Sequence, residues 1–167
     1  VLDPRPETEL LVEAALAHLG RKRAIGRPIH ILDIGTGSGC LLLALLSELP
    51  NAVGTGIDRS PGALRTAAAN AQVLGLANRA LWLCGSWVSP VSWQFDLVVS
   101  NPPYIASGTI ATLDRGVRAY DPALALDGGP DGLAAYRAII PTLRPVMQPT
   151  GAAFLEIGCT QAADVTG

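Results

Sequence analysis

Asn101-Pro102-Pro103-Tyr104 directly follows the apolar run Phe95-Asp96-Leu97-Val98-Val99 and Ser100. These residue types suit one task, holding a planar NH2 group still while it is alkylated. An amide or aromatic amine delocalises its nitrogen lone pair and is a poor nucleophile. A site that methylates it needs hydrogen-bond acceptors for both N–H groups on a rigid frame. The Asn101 side-chain oxygen is one acceptor and the Pro102 carbonyl is another. Asn101 and Pro102 each precede a proline, which turns both away from helix toward extended backbone. The prolines fix their own φ. Tyr104 offers a flat ring to stack on the substrate group or lie near a cation. The same tetrapeptide also reads as a plain strand-ending turn. No His or Lys base is required, because the amide gains acidity as its N–C bond forms. His18 and His30 read as surface or packing residues.

A second motif runs through Ile31-Leu32-Asp33-Ile34-Gly35-Thr36-Gly37-Ser38-Gly39. It is an apolar strand entering a glycine-rich turn, where backbone can approach a ligand closely and a following helix presents free N–H groups. A dinucleotide turn would carry G-x-G-x-x-G, and the third glycine is missing here. Asp33 at the strand end would also repel a diphosphate. It suits a ligand with a cationic amino group, such as S-adenosylmethionine. Val53-Gly54-Thr55-Gly56-Ile57-Asp58 is a second strand ending in an acid, roughly 20 residues on, where a ribose-binding carboxylate is expected. Asp58 also reads as a helix cap. Both roles are compatible if Ser60 caps the helix and Pro61 takes its first position.

The elements that must position these residues alternate. A helix pattern covers Glu7–Leu19, with Leu10, Leu11, Ala14, Ala15 and Leu16 as its apolar set. Strand Ile29–Ile34, helix 38–49, strand 53–58, helix 61–75, strand Leu81–Cys84 and strand 95–100 follow. Residues 105–130 read as a substrate-facing loop with one short helix. A helix over Asp131–Val146, kinked at Pro141, precedes a fifth strand, Ala152–Ile157. Such alternation predicts an α/β fold with a doubly wound parallel sheet, right-handed crossovers and ligands at strand C-terminal ends. Asp33, Asp58, Ser86 and Asn101 all fall at such ends.

The chain has 167 residues, 49% of them hydrophobic and 16% charged. That is one globular domain's worth of sequence rather than a disordered segment. Net charge is −2, against the basic balance of a protein that grips nucleic acid through phosphates. The dense cluster Arg21-Lys22-Arg23 with Arg27 reads as a solvated helix end. No run of about 20 apolar residues appears and no signal peptide is visible, so a cytoplasmic location is expected. Cys40, Cys84 and Cys159 are odd in number and scattered. They predict neither disulfides nor a metal site and read as small buried or half-buried residues.

These motifs resemble the class I S-adenosylmethionine-dependent methyltransferases. Further segments narrow the resemblance: Pro4-Arg5-Pro6-Glu7-Thr8-Glu9, Val117–Leu126, Gly128-Gly129-Pro130-Asp131-Gly132-Leu133 with Tyr136-Arg137, and Leu155-Glu156-Ile157-Gly158 with Gln161. Together they resemble the peptide-chain-release-factor glutamine N5-methyltransferases over essentially the whole chain. The resemblance implies methyl transfer to the glutamine amide in a Gly-Gly-Gln tip, with a release factor as partner and no nucleic acid, membrane or metal. A monomer is expected. It places the cofactor on Asp33, Gly35, Thr36, Gly37, Ser38, Gly39, Asp58, Ser86, Trp87 and Asn101. The substrate amide falls to Asn101, Pro102, Pro103 and Tyr104, with Arg5 in the strip over the cofactor. Ser86 stands where the family usually has an adenine-binding Asp, and Asp121 where it commonly has Glu. Trp87 can cover the adenine or simply fill core. The family also carries a helical N-terminal domain and further strands, so this chain, which opens inside a motif, is expected to be the catalytic domain alone. Rival readings are a methyltransferase for the exocyclic amine of adenine or guanine, an inactive cofactor-binding scaffold, and a nicotinamide oxidoreductase.

Overall fold

The computed structural model describes residues 6–20, 27–113 and 122–166. Arg5, the cluster at 21–23 and the segment 117–121 lie outside the described residues. Five strands form one sheet: β1 (Ile29–Ile34), β2 (Ala52–Asp58), β3 (Ala80–Cys84), β4 (Phe95–Ser100) and β5 (Met147–Leu155). All neighbours pair in parallel, in the order β3-β2-β1-β4-β5. The order reverses between β1 and β4, and a ligand crevice opens at the strand C-terminal ends of such a reversal.

The described α-helices are α1 (Pro6–Gly20), α2 (Cys40–Glu48), α3 (Pro61–Val73), α4 (Ala123–Leu126), α5 (Ala134–Val146) and α6 (Ala162–Thr166), with 3-10 turns at Ala77–Arg79 and Ser107–Thr112. β1 is apolar almost throughout because both of its faces are covered. Ile31, Leu97 and Val99 join Leu11, Ala15 and Leu19 of α1 and Leu42, Leu45 and Leu46 of α2 in one core. Leu32, Ile34 and Val98 turn to the opposite face, against Ile139, Leu143 and Val146 of α5. Each fully buried aliphatic side chain contributes about 1.5–3 kcal/mol, so the sheet is gripped from both sides next to the strand ends that matter.

Several boundaries differ from expectation for local reasons. In α1 the buried stripe is Leu11-Ala15-Leu19, while Leu10 is 64% exposed. α5 begins at Ala134 rather than Asp131, because the Asp131 carboxylate accepts from the Leu133 N–H and Gly132 is left-handed at φ 78°. Both Pro141 and Pro145 lie inside α5, which continues through them as one element. β5 starts at Met147, straight off α5, and ends at Leu155 rather than 157. Its pairing with β4 is interrupted between Phe95 and Leu97, which absorbs the stretch around Pro149, a residue with no N–H to give a ladder. Cys84 and Cys159 are exposed and only Cys40 is half-buried, correcting the expectation that all three pack inside. None of the described helices is long and apolar enough to cross a membrane.

Candidate active site

The glycine turn leaves β1 and folds back over the end of β2. Gly35 and Thr36 both donate their N–H groups to the Ile57 carbonyl. Gly35, Gly37 and Gly39 are left-handed, at φ 72°, 58° and 80°, a backbone that other residues adopt only with strain. Gly39 caps α2 in that conformation. A Cβ there would stand 2.9 Å from the Trp82 ring, so Trp82 of β3 packs beneath the turn.

Two acids hold this turn in different ways. Asp33 is buried, and its Oδ2 accepts from the Thr36 hydroxyl at 2.6 Å. Among the described residues its Oδ1 has no hydrogen-bond partner. Burial pushes the Asp33 carboxyl up to about 7, against the opposing pull of the Thr36 hydroxyl and the Leu42 N–H in the first turn of α2; the Asp58 charge adds to the rise. Asp58 is half-buried. It accepts from the Gly37 N–H at 2.9 Å and the Ser60 N–H at 2.8 Å. The Ser60 side chain accepts from the Ala63 N–H, with Pro61 in the first helical turn. Capping therefore belongs to Ser60, and the Asp58 carboxylate stays at the crevice with lone pairs to spare.

The second half of the site lies across β1 from this turn. The buried Ser100 hydroxyl donates to the Ile34 carbonyl at 2.7 Å, tying the end of β4 to β1 just before the Asn101 loop. The Asn101 Nδ2 group donates to the Thr8 hydroxyl oxygen at 3.3 Å. The Thr8 hydroxyl in turn donates to Glu156 Oε2 at 3.0 Å, and the Tyr104 hydroxyl donates to Glu156 Oε1 at 3.2 Å. Thr8 has a single proton and gives it to a carboxylate, so it meets Asn101 as an acceptor. That fixes which way round the amide sits: its NH2 faces Thr8 and its oxygen faces away. Among the described residues nothing donates to the Pro102 carbonyl.

The loop is locked from behind. Ile105 donates to the Leu126 carbonyl and accepts from the Gly128 N–H. Gln161 Nε2 donates to the carbonyls of Tyr104 and Gly132, while its Oε1 accepts from the Gly158 N–H. Gly132 admits this close approach, since a Cβ there would lie 2.5 Å from the Tyr104 carbonyl oxygen. A small pocket forms between Asn101, Pro102, Tyr104, Ile105, Leu126 and Glu156.

The structure thus brings Asp33, Gly35, Thr36, Gly37, Ser38, Gly39 and Asp58 together at one strand-end crevice, with Asn101–Tyr104 beside it. Ser86 is exposed at the end of β3. Trp87 packs against the second core with Leu83, Val88 and Val91, in the left-handed conformation at φ 51°. Thr8, Glu156, Gln161 and Trp82 are parts of the site that residue-by-residue reading leaves without a role. Glu156 carries a usable signal: like Asp33 and Asp58, it is an acid closing an apolar strand. No group of three His, Cys, Asp or Glu side chains among the described residues could hold a metal ion.

The description Methyltransferase small domain matches residues 7–122. The chain is 53% identical over 166 residues to a release factor glutamine methyltransferase of Rhodospirillum rubrum, covering 99% of this chain and 50% of that protein. It is 49% identical to one of Bradyrhizobium diazoefficiens, covering 98% and 55%. The chain therefore spans about half the length of the curated relatives it matches. Among solved structures, a ribosomal protein L11 methylase of Lactobacillus delbrueckii subsp. bulgaricus superposes with TM-score 0.65 at 21% identity, covering 96% of this chain and 66% of that one. A SAM-dependent methyltransferase of Agrobacterium tumefaciens gives 0.57 at 16% identity, covering 93% and 45%. The fold is that of the S-adenosylmethionine-dependent methyltransferases, and the chain belongs to the small-domain methyltransferase family.

Proposed function

We propose that this chain is the catalytic part of an enzyme that methylates the side-chain amide nitrogen of a glutamine, in the Gly-Gly-Gln segment of a peptide chain release factor. The observation that carries the reading is the fixed orientation of Asn101, whose amide oxygen is turned away from Thr8 beside the uncommitted Pro102 carbonyl. Two acceptors on a stiff loop match the two N–H groups of a primary amide.

The residues of the turn fit S-adenosylmethionine. Bare backbone at Gly35–Gly39 admits its amino-acid end. Asp33 supplies negative charge for its ammonium, Asp58 accepts from the ribose hydroxyls, and the adenine belongs beyond β3 against Ser86 and Trp87. When bound, that cofactor supplies an electrophilic methyl carbon on a sulfonium. Asn101 and Pro102 hold the amide nitrogen in line with that carbon. The cofactor would supply the methyl carbon and retain the electrons of its C–S bond as a thioether, while the amide held by Asn101 and Pro102 would gain the methyl and give one N–H proton to water. Alignment supplies the main part of the rate. Tyr104 flanks the amide plane.

Selecting one protein takes roughly 800 Å² from each partner, far more than a one-side-chain pocket offers. We assign the remaining contacts to the 105–130 segment and to parts of the natural protein beyond these 167 residues. The test is transfer of labelled methyl from S-adenosylmethionine by the full-length protein to an intact release factor, with the label mapped by mass spectrometry. Label on the glutamine of Gly-Gly-Gln is expected. Label on adenine or guanine amines of added nucleic acid, with none on the protein, would replace the reading.

A further inference from the structure

We propose that Glu156 is a positioning residue that sets which face of Asn101 the substrate meets, acting through the single proton of Thr8. The inference rests on the glutamine-methylating reading above. An asparagine side chain is nearly symmetric in shape, and its oxygen and NH2 exchange places by a rotation of the amide. Only the group it bonds decides between them. In this site that group is the Thr8 hydroxyl, on a residue that is buried at 6% exposure.

The hydroxyl has one proton to give. A carboxylate only accepts, so Glu156 Oε2 at 3.0 Å draws that proton toward itself. The Thr8 lone pairs are left for Asn101 Nδ2 at 3.3 Å. The other carboxylate oxygen is held by the Tyr104 hydroxyl. The Tyr136 hydroxyl donates to the Glu156 backbone carbonyl at 2.9 Å, so the residue is fixed at both its side chain and its main chain. The polarity of this chain runs one way, from Asn101 to Thr8 to Glu156, and leaves the Asn101 oxygen on the side away from Thr8. Replacing Glu156 with Gln allows the polarity to reverse. A Gln NH2 donates to Thr8, Thr8 donates to the Asn101 oxygen, and the Asn101 NH2 then faces the substrate NH2, donor against donor.

Reversal gives a test with a sign that a merely structural role lacks. In Glu156→Gln, kcat on a Gly-Gly-Gln peptide is expected to fall by about 10²-fold, the scale of a misaligned reactant, with S-adenosylhomocysteine affinity kept. Asn101→Asp alone sets two carboxylates on one Thr8 proton and is also expected to be impaired. In the double variant Glu156→Gln with Asn101→Asp, the reversed chain is satisfied and an acceptor again faces the substrate. Its kcat is expected to exceed that of either single variant. Thr8→Val, equal in volume but without a hydroxyl, is expected to lose kcat, and Thr8→Ser to keep it. Each variant of the full-length protein is first checked for S-adenosylhomocysteine binding, which reports folding; if Glu156→Gln fails that check, the Thr8 pair decides alone. Losses that simply add in the double variant, or a Thr8→Val variant as active as Thr8→Ser, would overturn the assignment while leaving the glutamine reading intact. A wild-type protein that methylates no glutamine would remove both.

Discussion

The two halves of the site are built on opposite plans. The proposed cofactor half is the more local: its side-chain hydrogen bonds join residues 2 to 32 apart in the chain, Ser60 to Asp58, Thr36 to Asp33, Gly37 to Asp58 and Asn70 to Ser38. The substrate half is assembled from far away, with Asn101 meeting Thr8 across 93 residues and Thr8 meeting Glu156 across 148. A local turn keeps its shape mainly through its own φ values and backbone bonds. A long-range loop keeps its shape only while the whole sheet and α1 hold their places. Binding and turnover should therefore respond to different mutations.

The widest separation is expected at Asn101. Asn101→Ala removes the acceptor for the amide, and kcat should drop by about 10²–10³-fold, as for loss of one positioned hydrogen-bonding group. Cofactor affinity should stay within about twofold on the same argument, since the turn does not depend on that side chain. Steady-state methyl transfer paired with calorimetry reads both. Equal losses in the two would show that the halves are not independent.

Asp58→Ala probes the other half. Loss of charge-assisted bonds to ribose, and of the acceptor for Gly37 and Ser60, should weaken S-adenosylhomocysteine by about 1.5–3 kcal/mol. Unchanged affinity would take Asp58 out of the site.

Asp33 sharpens the contrast through pH. Its carboxyl is raised to about 7 in the fold, well above the ordinary carboxylate range. The folded state thus holds a proton that the unfolded chain releases, and stability from this group is fully present below about pH 4 and is lost as pH rises through about 7. Asp33→Asn cannot ionise and still accepts from Thr36. It should melt a few degrees above wild type at pH 8, and the gap should close near pH 4. In the wild type a bound cation favours the carboxylate, so S-adenosylhomocysteine affinity should rise between pH 5.5 and 7, a trend absent in Asp33→Asn. Parallel melting curves at all pH values would contradict the burial argument.

The smallest effect is expected at Gln161. Gln161→Ala removes the bonds to Tyr104, Gly132 and Gly158, at a net cost of about 1 kcal/mol each at most. KM for a Gly-Gly-Gln peptide should rise several-fold with cofactor affinity unmoved. A change confined to the cofactor would reverse the assignment of Gln161 to the substrate half.

The same division explains what was legible in the chain. Strand and helix alternation, the parallel sheet and the acids at the ends of β1 and β2 follow from local pattern, because apolar runs, glycines and caps act on their immediate neighbours. The Asn101 loop was readable as a stiff presenter of carbonyls for the same reason. Its supports were not. Nothing in the first turn of α1 says that Thr8 will meet the residue after β5, since that contact depends on how α1 lies across the sheet. The start of β5 is not legible locally, because a bulge opposite Phe95 and Leu97 is set by the neighbouring strand. Trp82 lies against the glycine turn only once β3 pairs with β2.

Glu156 also has a consequence for the order in which the protein comes into being. Synthesis runs from the N-terminus, and the glycine turn, Asp58 and Trp82 have all been made by the time Asn101 is added. The residue that orients Asn101 arrives more than fifty positions later. A growing chain can complete its cofactor half well before it has a means of aiming the amide. On the proposed reading, competence to transfer a methyl group therefore comes later in synthesis than the cofactor half, and it arrives with one carboxylate.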